Sequence, residues 1–77
     1  MKHTEQSQLT KQTLSTALKK LMETKPLSRI TISEIVESCG LNRKTFYYHF
    51  EDIYALLKWT LDQEAIAQFD KFDLVTQ

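Results

Sequence analysis

Residues 42–50, Asn-Arg-Lys-Thr-Phe-Tyr-Tyr-His-Phe, gather cations, hydroxyls, a carboxamide and an imidazole into one short run of this 77-residue sequence. Arg43 carries a planar fork of donors that suits a phosphate or the edge of a guanine, and Lys44 adds a mobile point charge. Phe46 and Phe50 stand four apart, so on a helix they share one face and anchor it inward. That leaves Arg43, Lys44, Thr45, Tyr47, Tyr48 and His49 for the rest of the surface. Two cations at a helix start oppose the backbone dipole, and a nearby anion would relieve the conflict. The chemistry on offer is the gripping of an anion. Bond-breaking chemistry is poorly supplied, with no paired-carboxylate motif, no Cys-His couple at convincing spacing and no glycine-rich phosphate loop. His3, His49 and Cys39 are too few to cage a metal, no cofactor is indicated, and a lone cysteine makes no internal disulfide.

The elements that must position this run are helices. One glycine and one proline leave little punctuation for hairpins, and no alternating apolar segment supports a sheet. From about Gln8, Leu14, Ala17, Leu18, Leu21 and Met22 recur with helical spacing, and Pro26 ends that helix by disfavouring helical geometry at Lys25. Thr31 and Glu34 form a capping box, with Ile30 and Ile35 spaced as a hydrophobic staple, so a second helix starts at Ile32 and runs to about Ser38. Gly40 can take the left-handed conformation that ends it. Asn42 caps a third helix, with Leu41 and Phe46 as its staple, and the short Cys39-Gly40-Leu41 link makes the pair a helix-turn-helix. Asp52 caps a fourth helix that is expected to bury Ile53, Leu56, Leu57 and Leu61. Farther along, Glu64, Gln68 and Lys71 interrupt that stripe while Trp59, Ile66 and Phe69 gather on another side, as though the helix changed partner. The ending LVTQ carries no stop signal, and a further domain is expected beyond it.

Length and composition describe one all-α domain, in which 42% of the residues are hydrophobic and 26% charged, so both a core and a polar surface can be supplied. No apolar run reaches the roughly 20 residues of a membrane span, and MKHTEQSQ has no apolar stretch of the kind a secretory signal needs, so a cytoplasmic protein with no membrane partner is expected. The net charge of zero hides an asymmetry. Residues 1–50 hold eight basic and four acidic side chains, a balance of +4, and residues 51–77 carry −4. A polyanion responds to the local field more than to the total.

Thr31-Ile32-Ser33-Glu34-Ile35-Val36, then Cys39-Gly40-Leu41, then Thr45-Phe46-Tyr47-Tyr48-His49-Phe50 resembles the N-terminal domain of TetR-family transcriptional regulators over roughly residues 9–62. Phe-Tyr-Tyr-His-Phe, followed by Asp52-Ile53-Tyr54 and Trp59, also resembles a subgroup that includes regulators of dihydroxyacetone kinase genes. The resemblance implies a homeodomain-like fold of three helices plus a fourth connecting helix. It divides the chain into a flexible arm (1–8), a helix-turn-helix domain (9–51) and a connecting helix (52–77) leading to an absent effector and dimerisation domain. It further implies binding to double-stranded operator DNA, a homodimer in the full-length protein, and a small-molecule effector held by that missing domain.

By the same resemblance, helix 43–50 enters the major groove, where Arg43, Lys44 and Thr45 face base edges while Tyr47, Tyr48 and His49 mostly grip phosphates. Thr31 and Ser33 would touch phosphate at the start of the second helix, and Asn42 belongs to the same DNA-binding set. Two positions depart from the family pattern. Ile53 stands where many relatives have a phosphate-binding lysine, and Val36 where a small residue is usual, which is expected to alter the helix crossing slightly. For the residues taken alone, plainer roles stay open: a packed ring for His49, half-buried aromatics for Tyr47 and Tyr48, a solvated face for Lys19 and Lys20, and core packing for Cys39 and Trp59. An alternative class is a small helical module that binds another protein through the apolar side of the fourth helix.

Overall fold

The structure is a computed structural model that describes the backbone of residues 2–76 and the side chains of residues 7–65. Four helices follow in order: α1 (Lys2–Met22), α2 (Ile32–Ser38), α3 (Arg43–His49) and α4 (Ile53–Thr76), with a 3-10 turn at Leu27–Arg29 between the first two. The fold is all-α. Helix α1 begins well before Gln8, so residues expected to form an arm continue the helix. No glycine or proline between Lys2 and Met22 interrupts it.

Each helix boundary has a local cause. Pro26 (φ −70°) closes α1, and the connector is tied by Arg29 N–H to Pro26 O at 2.9 Å and Ile30 N–H to Leu27 O at 3.1 Å. At the start of α2 the capping box is complete: Glu34 N–H donates to Thr31 Oγ1 at 3.2 Å, and Thr31 N–H donates to Glu34 Oε1 at 3.0 Å. The end of α2 forms a Schellman arrangement, in which Leu41 N–H reaches Val36 O at 2.8 Å and Gly40 N–H reaches Glu37 O at 3.4 Å. It needs a left-handed residue, and Gly40 supplies one at φ +75°. Asn42 Oδ1 caps α3 through Thr45 N–H at 2.8 Å, and Asp52 Oδ1 caps α4 through Ala55 N–H at 2.8 Å.

The core collects one stripe from every helix: Leu14, Ala17 and Leu18 of α1, Ile35 and Val36 of α2, Phe46 of α3 and Leu56 of α4, joined by Ile30 and Phe50. Both staple pairs are built from residues of this cluster or packed against it, so the turn and the core support each other. Val36 is accommodated inside the core, where its carbonyl receives Leu41. Two apolar expectations fail. Met22 lies 41% exposed at the end of α1, and Leu61 lies 56% exposed on α4, on a face of that helix turned away from the buried Thr60 beside it. The expected gathering of Ile66 and Phe69 lies outside the described side chains.

The α1–α4 contact also contains a buried polar pair. Ser15 Oγ and Thr60 Oγ1 are 2.6 Å apart, and Thr60 Oγ1 donates to Leu56 O at 2.9 Å, which leaves Ser15 as donor to Thr60. Among the described residues no buried side-chain polar atom lacks a partner. On the surface, Lys19 pairs with Glu64 at 2.7 Å, an exposed ion pair of the kind worth about 0–1 kcal/mol.

Candidate nucleic-acid interface

Helix α3 sorts its residues into rows four apart. Phe46 and Phe50 form the buried row, with ring centroids 6.0 Å apart, and Phe46 is fully enclosed. Arg43 with Tyr47, and Lys44 with Tyr48, form two adjacent exposed rows. Thr45 and His49 flank them, each partly buried. The helical repeat therefore places both cations and both tyrosines on one solvent face while the phenylalanines fix its angle from beneath. Tyr47 packs edge-on against Phe46 at 5.6 Å, and Tyr48 projects outward at 84% exposure. Phe50 passes the support to α4 through an edge contact with Trp59 at 6.2 Å, the packing role expected for that tryptophan.

The charges on this face are uncompensated. Among the described residues the ion pairs are Lys19–Glu64 and Lys25–Glu34, so Arg43 and Lys44 stand without acidic partners. They also lie in the first turn of α3, where no acidic residue offsets them.

Several of the remaining site residues have structural work to do. Asn42 Oδ1 accepts both Thr45 N–H and, at 3.0 Å, the Thr45 hydroxyl, so its carboxamide NH2 is the group left for a ligand. Thr31 is exposed, with its hydroxyl engaged in the α2 capping box, and Ser33 is partly buried in the first turn of the same helix. Lys25 closes this end of α2 by bonding Glu34 Oε2, and that bond, aided by the Thr31 amide, lowers the Glu34 pKa.

His49 meets α1. Its Nδ1 lies 3.5 Å from Ser7 Oγ, and Tyr48 stands edge-on to the ring at 5.1 Å. Desolvation, with a smaller contribution from the charge of Lys11, lowers the His49 pKa, so the ring is neutral at pH 7. The contact of Ser7 with His49 is not legible in the sequence, because an arm over residues 1–8 leaves Ser7 outside the fold. Cys39 behaves as the expected small core residue: its thiol donates to Ile35 O at 3.2 Å, and burial pushes its pKa up. Ile53 packs against the core, so the cation that the family resemblance leads one to expect at this position is absent.

Among the described residues no three His, Cys, Asp or Glu side chains are placed to hold a metal, and no helix is long and apolar enough to cross a membrane. What the face of α3 can do is meet an anionic surface with two exposed cations and two phenolic hydroxyls, on a helix whose orientation is fixed by packing.

The chain is 29% identical over 56 residues to the HTH-type dhaKLM operon transcriptional activator DhaS of Lactococcus lactis subsp. lactis (strain IL1403), a region that makes up 73% of this chain and 30% of that relative. The chain thus spans about a third of the length of the curated relative it matches. The family model for bacterial regulatory proteins of the tetR family matches residues 14–58, from the core of α1 through α2, the turn and α3 into α4. With the helix-turn-helix, its capped turn and its supporting helices all inside that match, the chain belongs to the tetR family of bacterial regulatory proteins.

Proposed function

We propose that this chain binds double-stranded operator DNA with sequence preference, laying α3 in the major groove as one half of a homodimeric transcriptional regulator. The observation that carries the reading is the exposed face of α3, where Arg43, Lys44, Tyr47 and Tyr48 stand together without acidic partners among the described residues. In the groove, Arg43 and Lys44 reach base edges together with Thr45, while Tyr47, Tyr48 and His49 hold phosphates on either side. Thr31, Ser33 and the Asn42 amide add contacts where the backbone passes the starts of α2 and α3. Dimerisation and a small-molecule effector belong to the full-length protein, beyond the region shared with the relative. Family membership and the α3 surface together favour a cytoplasmic, non-enzymatic regulator.

A second reading has one observation behind it: Leu61 lies exposed on α4, as a protein-docking face would require. Salt separates the two. Neutralising several phosphates makes log K fall with log salt at a slope near −0.9 per contact, and an apolar docking contact barely responds. The decisive experiment is selection of bound duplexes from a random pool at two salt concentrations. Recovery of a shared half-site, with affinity falling steeply with salt, supports operator binding; a pool that stays random at both salts rejects it.

A further inference from the structure

Ser7 and Lys11 stand one helical turn apart on α1 and so share a face. Ser7 brings that face to the end of α3, with its Oγ 3.5 Å from His49 Nδ1. All three residues are partly buried. Lys11 forms no ion pair among the described residues. A serine hydroxyl donated to Nδ1 leaves the imidazole proton on Nε2, where it can be given to an acceptor. The ionisable neighbours of the ring among the described residues are Lys11 from α1 and Tyr48 from α3, and no carboxylate stands with them. The α1 face that carries Lys11 thus meets the His49 imidazole at one end of the α3 surface, and a phosphate diester can accept hydrogen bonds from an ammonium and from an imidazole N–H alike.

We propose that Lys11 and His49 hold one phosphate of the DNA backbone between them, with Ser7 orienting the imidazole, so that α1 grips the duplex alongside the helix-turn-helix. The proposal rests on the DNA-binding reading of α3 and adds a contact from a helix outside the turn motif. A phosphate contact of this kind contributes affinity and register and carries no base preference.

The test uses the 77-residue chain and a duplex enriched from the random pool, with affinity measured across a range of salt concentrations. Lys11→Gln is expected to make the log–log salt slope shallower by about 0.9, the share of one phosphate, and to weaken all sequences alike. Lys11→Arg should restore the slope, which also guards against a folding defect. Lys20→Gln removes the same charge from the opposite side of α1 and should leave the slope near wild type. A Lys11→Gln slope equal to wild type, or an equal reduction in Lys20→Gln, would overturn the proposal and leave the α3 reading standing. Absence of salt-dependent duplex binding by the wild-type chain would remove both.

Discussion

Arg43 and His49 occupy opposite ends of α3 and illustrate two ways in which a residue joins a site. Arg43 is exposed and forms no ion pair among the described residues, so its removal changes what the surface can bind and little else. Arg43→Ala is expected to weaken binding to the selected half-site by about 1–3 kcal/mol and to relax preference at one base position; equal loss on every duplex would assign the side chain to phosphate. His49 is tied into the fold. Its pKa lies below the 6.5 of a free imidazole because burial, and then Lys11, disfavours the charged form. The unfolded chain therefore binds the proton more readily than the folded one. The stability linked to this residue is present above about pH 6.5 and is lost as pH falls through the lower folded value. Thermal melts between pH 7.5 and 5 should show this loss, and His49→Gln should flatten that part of the profile. A wild-type profile that rises toward acid pH across this window would contradict the assignment.

At the scale of elements, what was legible in the sequence is what neighbours in the chain decide. The Thr31–Glu34 box, the Asn42 and Asp52 caps, the Gly40 turn and the inward placing of Phe46 and Phe50 all involve residues within a few positions of each other. Contacts across the bundle were not legible: Ser15 with Thr60 and Lys19 with Glu64 each join residues 45 apart. No local spacing announces such a pair. Nor does local spacing say which face of α4 the bundle covers, so Leu61, expected in the core, lies exposed, and an arm over residues 1–8 leaves no place for the meeting of Ser7 with His49. The buried Ser15–Thr60 pair has an asymmetric energetic consequence. Thr60→Val leaves the Ser15 hydroxyl without its acceptor and should cost about 1–3 kcal/mol, whereas Ser15→Ala leaves Thr60 bonded to Leu56 O and should cost about 1 kcal/mol. Urea denaturation of the two variants checks the order, and equal costs would mean that Ser15 finds another acceptor.

For the molecule as a whole, the charge asymmetry read from the sequence acquires a location. The excess of cations falls within residues 1–50, which include α3 with Arg43 and Lys44, and the compensating acids fall on α4 and the turn before it. A chain of zero net charge can therefore attract DNA at one end. The core beneath α3 takes residues from every helix, so the fold acts as a mount that holds a short helix at one angle. Seven residues of α3 could not maintain a helix alone in water, and the buried Phe46 supplies what local hydrogen bonding lacks. The central claim is that the exposed face of α3 contacts the duplex, and backbone amide shifts followed during titration with a half-site oligonucleotide test it most directly. The account predicts that residues 43–49 move while the exposed α4 residues 61–65 stay in place; movement confined to 61–65, with α3 undisturbed, would contradict it.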